Sequence, residues 1–150
     1  MYHFIVKQVT RKAFENVSSG NFDAVIQGCA PHIRHTFRGE HALGGERNDV
    51  QSFRWWLERV ARLSPQFTFE LHDIFVSGTP WNTRVMVRWT KHDTQPDGQV
   101  ISSWGNHYIV LKWFRTVSID VYPDTAGTIA EMQQLAVAGV AEAVAEPITS

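Results

Sequence analysis

Residues 100–122 read VISSWGNHYIVLKWFRTVSIDVY. Residue character alternates along both halves, and Trp113-Phe114 sits where the direction changes. The stretch therefore reads as two antiparallel strands, Val100 to Lys112 and Arg115 to Tyr122, joined by a tight turn. A two-residue and a four-residue loop give the same pairing: Lys112 faces Arg115, Leu111 faces Thr116, Ile109 faces Ser118, and His107 faces Asp120. Directly opposed side chains sit about 4.5–5.5 Å apart at Cβ, close enough for an imidazole and a carboxylate to hydrogen-bond. One face then carries Ile101, Ser103, Gly105, His107, Ile109, Thr116, Ser118, Asp120 and Tyr122. The other carries Trp104, Asn106, Tyr108, Val110, Val117, Ile119 and Val121. A three-residue loop would shift the register by one and part His107 from Asp120. Phe114 counts against the two-residue turn, which wants positive φ there.

Working outward, period-two patterning continues upstream in Phe67 to Val76 and Thr83 to Thr90. Gly78-Thr79-Pro80 and Pro96-Asp97-Gly98 supply the turns. Adjacent strands with short connections predict an antiparallel meander. Ahead of it the period is helical. Val6, Val9, Ala13, Phe14 and Val17 place a helix over Tyr2 to Ser18. Asn21 can cap a second, Phe22 to Cys29. A third spans about Asp49 to Leu63, with Asn48 a candidate cap and Val50, Phe53, Trp56 or Leu57, and Val60 as its buried stripe. Ile33 to Phe37 reads as extended, and Gly39 and Gly44-Gly45 as opening a loop. A last helix is expected over Thr128 to Ala138, with Asp124 near its start. Beyond Gly139 the tail is expected to continue as helix or to fray as a mobile tail, 139–150. Gly105 within a strand predicts a bulge or bend. The sum is an α+β class: three helices packed on a strongly curved, mostly antiparallel sheet of four to six strands, a single domain over 1–150 forming a cone with an internal pocket.

Composition narrows the functions. The chain has 150 residues, net charge −1, 43% hydrophobic residues, six Trp and nine Phe. That is one aromatic-rich globular domain. No Lys/Arg run exceeds two residues, so the basic footprint of a nucleic-acid binder is missing. The lone Cys29 excludes an internal disulfide and suits a cytoplasmic location. The N-terminal apolar stretch is too short for a signal peptide, and no membrane association is expected.

The His107–Asp120 pair reads either as a general acid–base pair or as a structural ion pair on a solvent or dimer face. His35, between Ile33 and Phe37, reads as a second candidate base or as a satisfied core histidine. His32, His35 and His41 lack the spacing of a metal site, and no metal is expected. Trp55, Trp56, Trp81, Trp89 and Trp104 could line a pocket for a flat ligand or form core, with Trp89 the best placed.

Four segments carry a family resemblance: Gly20-Asn21-Phe22-Asp23, the run Ala30 to Gly39, Gly105-Asn106-His107-Tyr108, and Val117 to Thr125. In order and spacing the chain resembles the nuclear transport factor 2-like superfamily, of the ketosteroid isomerase and SnoaL-like polyketide cyclase type, over nearly its whole length. The resemblance implies helices closing one mouth of a conical sheet around a hydrophobic cavity, and a homodimer through the sheet. It matches His35 to the isomerases' catalytic Asp, and Asp120 to the acid/base Asp of SnoaL-like cyclases. An equivalent of the isomerases' oxyanion Tyr is missing, Tyr2 being too early, and so is the epoxide hydrolases' Asp-Arg-Asp set.

Two function classes follow. One is a cofactor-independent isomerase, cyclase or dehydratase acting on a small, largely apolar carbonyl compound. His35, His107 and Asp120 would be its catalytic residues, and Phe53, Trp56, Trp89, Ser103, Ser118 and Tyr122 its ligand-binding residues. The other is a non-catalytic small-molecule-binding or dimerisation module.

Overall fold

The computed structural model describes residues 1–150. Helices α1 (Tyr2–Ser18) and α2 (Phe22–Gln27) lead into β1 (Cys29–Phe37) and a short β2 (Gly45–Arg47). Helix α3 (Val50–Leu63) precedes the meander β3 (Phe67–Thr79), β4 (Asn82–Thr94), β5 (Val100–Lys112) and β6 (Arg115–Pro123). Helix α4 (Thr125–Val137) and a 3-10 turn, Ala141–Val144, close the chain. The six strands form one sheet in the order β2-β1-β6-β5-β4-β3. Every neighbouring pair is antiparallel except β1 and β6.

Short polar side chains start α2, α3 and α4, where the backbone N–H groups lack partners. Asn21 accepts from Ala24 N at α2. Asp49, not Asn48, caps α3, accepting from Ser52 N at 2.8 Å. Asp124 caps α4 through Gly127 N at 3.1 Å, which starts that helix three residues before Thr128. Each such cap contributes about 1 kcal/mol. Gly44-Gly45 does not simply open a loop, because Gly45–Arg47 pairs with the end of β1. Strand β4 runs to Thr94 rather than Thr90, which brings Lys91 and Asp93 into the sheet.

The β5–β6 turn has two residues, and both take positive φ, 52° at Trp113 and 63° at Phe114. Such φ values match the type I′ hairpin and are unfavourable for aromatic residues. Tertiary contacts hold them there. Trp113 N donates to Pro80 O at 2.6 Å, and the Phe114 ring meets Tyr2 edge-on at 5.4 Å. Lys112 faces Arg115 and Leu111 faces Thr116, as the alternation predicts. The register then slips: Val110 faces Ser118, Tyr108 faces Asp120, and His107 faces Val121. One extra residue at the bulge sends the rest of β6 to the opposite face. The expected His107–Asp120 pair is therefore not formed.

Two apolar clusters flank the concave side of the sheet. Ile33, Phe53, Trp56 and Leu57 centre the one beneath α3. Val6, Phe14, Val85, Val87, Trp89 and Val121 form the one beneath α1. The segment 139–150 lies against α3 and β2. Ala143 is buried, Glu142 receives Arg59 and Arg62, and Ser150 bonds Asn48. No helix is long and apolar enough to cross a membrane.

Candidate functional site

A cavity of about 340 Å³ lies between the two clusters. Its wall is mostly apolar, with Phe14, Phe53, Trp56, Phe69, Trp89, Ile109 and Ile119 among the contributors. The polar groups reaching it are few, and that selectivity is characteristic of ligand pockets.

His35 enters from β1 and is only 1% exposed. Its ring stacks on Phe53 at 4.6 Å and tilts against Trp56 at 4.4 Å. Arg47, fully buried, donates from Nε to His35 Nδ1 at 3.0 Å. The same guanidinium donates to the carbonyls of Gly44, Gly45 and Ile148, so the tail helps hold it. Burial, reinforced by the Arg59 cation and opposed by the Glu46 carboxylate, lowers the Arg47 pKa to about 10. Burial, then the Arg47 cation, then His107 hold His35 well below the ordinary histidine range.

His107 enters from β5, and the Trp89 indole Nε1–H donates to its Nδ1 at 2.8 Å. Phe14 packs edge-on at 4.8 Å. Burial drives the His107 pKa down to about 3. Gly105 is what lets the indole lie there. A Cβ at that position would stand 2.4 Å from Trp89 Cζ2 and 2.5 Å from Cη2. The glycine's role is thus close approach of a neighbouring ring, not the bulge expected of it.

The two imidazoles share a logic. An indole N–H and a guanidinium N–H can only donate. Each Nδ1 must accept, so each neutral ring carries its proton on Nε2. Neither Nε2 has a protein partner, yet no occluded polar side-chain atom is left unpaired. Both Nε2–H groups therefore open into the cavity as donors. Neutral rings with their lone pairs engaged suit the stabilisation of a ligand oxygen better than the removal of a proton.

The other sequence candidates divide between the two faces. Phe53, Trp56, Trp89 and Ser103 line the cavity. Ser118, Asp120 and Tyr122 do not, because the bulge turns them to the outer face, where Asp120 meets Arg34 at 3.0 Å and Arg38 at 3.2 Å. Tyr122 lies under the Arg38 guanidinium. Trp55, Trp81 and Trp104 are exposed.

Sequence reasoning missed a second polar group at the cavity wall. Lys91 of β4 and Glu131 of α4 both reach the cavity. Lys91 Nζ donates to Ser64 Oγ at 2.8 Å and lies 3.5 Å from Asp93 and 3.8 Å from Glu131. Ser64 in turn donates to Asp93 at 2.7 Å. Burial raises the Glu131 pKa above its ordinary value; Lys91 opposes this and Asp93 reinforces it. Arg47 was also missed. It stands among Glu46, Asn48 and Asp49, where a charged side chain reads as a solvated loop residue, and its partner His35 is twelve residues away.

The model of the SnoaL-like domain matches residues 10–119. The chain belongs to the SnoaL-like domain family. No curated protein matches this SnoaL-like chain in sequence. Solved structures share its fold. One is a nuclear transport factor 2-like protein of unknown function from Burkholderia pseudomallei K96243. It is 20% identical with a TM-score of 0.70, over 83% of this chain and 94% of that one. A SnoaL-like protein from Shewanella putrefaciens CN-32, assigned to the polyketide cyclases, is 12% identical with a TM-score of 0.68, over 85% of both chains. Another so assigned, from Xanthomonas campestris pv. campestris, is 18% identical with a TM-score of 0.58, over 77% of this chain and 87% of that one. At such identities these likenesses establish the cone fold and leave the reaction to the site itself.

Proposed function

We propose that this SnoaL-like domain binds a small, largely apolar carbonyl compound inside its cone and supports cofactor-independent proton transfer of the isomerase, cyclase or dehydratase kind. One observation carries the reading. Two neutral imidazoles, fixed by Arg47 and Trp89, present Nε2–H donors to an apolar cavity. A carbonyl oxygen placed there would accept from them, and an enolate oxygen would accept more strongly, which is the differential that lowers a barrier.

The test uses 2-tetralone and tetralin, one skeleton with and without a carbonyl. Quenching of tryptophan fluorescence would report occupancy, since Trp56 and Trp89 line the cavity. A net hydrogen bond of about 0.5–1.5 kcal/mol predicts roughly 2- to 12-fold tighter binding of the ketone. His107→Phe should reduce that preference, since one of the two donors is lost, while tetralin binding persists. Equal affinity for the two compounds in the parent protein would remove the basis for the carbonyl assignment.

A separate observation favours the second reading, a dimerisation module. On the outer sheet face Phe75 and Met86 pair across β3 and β4, with Tyr108 next in the row. Phe75 is 61% and Met86 42% exposed, an apolar row suited to a second copy. Light scattering on Met86→Lys against the parent tests it, and an unchanged mass would count against this face as the interface.

A further inference from the structure

The two histidines leave the proton transfer without a base. Their Nδ1 lone pairs are engaged and their Nε2 atoms are protonated. Asp120 is on the outer face, bound to Arg34 and Arg38. Among the residues lining the cavity the one carboxyl is Glu131, paired with Lys91.

We propose that Glu131, which shares the Lys91 ammonium with Asp93, is the carboxyl that exchanges protons with a bound ligand in this cavity. The inference rests on the pocket reading above and assigns its missing catalytic residue.

The charge arrangement supports the role. One ammonium, Lys91, faces two carboxyl groups, Asp93 at 3.5 Å and Glu131 at 3.8 Å. Asp93 is buried, accepts from the Ser64 hydroxyl and stands back from the cavity. Two neighbouring carboxylates sharing one cation favour retaining a proton on one of them. Asp93 has both the hydroxyl and the nearer ammonium to hold its charge, so of the two Glu131 takes up a proton more readily. Burial pushes Glu131 in the same direction. A carboxyl held above its usual range at an apolar wall is suited to take a proton and return it. The groups that set its titration are Lys91 and Asp93 from β4 and Ser64 from the end of α3.

The step balances without a cofactor. Ionised Glu131 removes a proton from the carbon next to the ligand carbonyl. The C–H electron pair becomes the enolate, whose charge moves to oxygen, and Glu131 becomes the acid. Return of a proton from Glu131 to the same carbon restores the ketone, and return to another carbon isomerises it.

The experiment follows exchange of the α-hydrogens of 2-tetralone for deuterium in D2O by ¹H NMR across a pH series, with the parent protein, Glu131→Gln and Lys91→Met. Saturation-transfer NMR reports binding of the same ketone, and circular dichroism reports folding. The parent should accelerate exchange at least about a hundredfold over buffer, the lower end of what a positioned general base supplies. Its rate should rise with pH through a midpoint above the ordinary glutamate value. Glu131→Gln should bind tetralone and fall to the buffer rate. Lys91→Met should move the midpoint upward, because a cation that favours the carboxylate is gone; a merely structural carboxyl would leave the midpoint where it was. Bound tetralone with no acceleration in the parent, or a folded Glu131→Gln that keeps more than half the parental rate, overturns the assignment and leaves the pocket reading standing. Tetralone that does not bind the parent at all overturns the pocket reading and this inference with it.

Discussion

Gly105→Ala probes the site from a position that touches no ligand. The added methyl would stand 2.4–2.5 Å from two atoms of the Trp89 ring, a separation no relaxed structure keeps. The ring has to move, and Trp89 is itself buried in the cluster beneath α1. Overpacking of this kind costs about 1–3 kcal/mol. Displacement also breaks the 2.8 Å bond from the indole to His107, about 1 kcal/mol more. The sum, about 2–4 kcal/mol, predicts a Tm lower by roughly 4–16 °C for a domain of this size. Thermal unfolding followed by far-UV circular dichroism measures it. Trp89→Phe supplies the internal control, since the smaller ring lacks the atoms that the methyl would strike. In the Trp89→Phe background Gly105→Ala should cost clearly less, a coupling of at least about 1 kcal/mol in the double-mutant cycle. A Tm within a degree of the parent, or strict additivity with Trp89→Phe, would refute the close-approach account of Gly105.

Two further outcomes follow from the same geometry. His35 and His107 are held neutral in the fold but take up protons near pH 6.5 when unfolded. The unfolded state therefore binds more protons between that value and the folded pKa, about 3 for His107. Stability should be fully present above pH 6.5 and fall as pH drops below it, by about 1.4 kcal/mol per pH unit for each imidazole. Urea titrations at several pH values would show the slope, and its persistence in a variant with both histidines replaced by Phe would contradict it. Asp120→Asn should weaken the Arg34 and Arg38 contacts, lowering Tm modestly, yet leave 2-tetralone affinity within about twofold, because the carboxylate is on the outer face. A large loss of affinity by fluorescence titration would place Asp120 in the site after all.

Much of the fold was legible in local chemistry. Apolar spacing gave the extents of α1 and α3 and Asn21 the start of α2, but α2 ends at Gln27 rather than Cys29, because β1 already begins at Cys29. The β5–β6 hairpin followed from alternation around Trp113-Phe114. The site was legible in part, because its inward residues on β1 and β5, His35 and His107, lie ahead of the bulge. A bulge costs one residue and leaves the alternation on either side intact, so β6 could not be assigned to a face from spacing alone. The aliphatic pair Ile119 and Val121, denser than the polar run Ser118, Asp120 and Tyr122, was the available hint. Lys91 and Asp93 were lost for a different reason. Charged residues at the end of an alternating strand read as its edge, and only the long β3–β4 pairing draws them inward. Their partners Ser64 and Glu131 are 27 and 40 residues from Lys91, beyond the reach of any local pattern.

The central claim is that the cavity holds two neutral histidines, each accepting at Nδ1 and donating at Nε2. Long-range ¹H–¹⁵N correlation spectra of the imidazole rings test it most directly, recorded from about pH 7 to pH 5. The structure predicts an unprotonated Nδ1 and a protonated Nε2 for both His35 and His107, unchanged across that range. A proton on Nδ1 of either ring, or conversion of either to imidazolium above pH 5, would contradict the account and return the histidines to the role of bases.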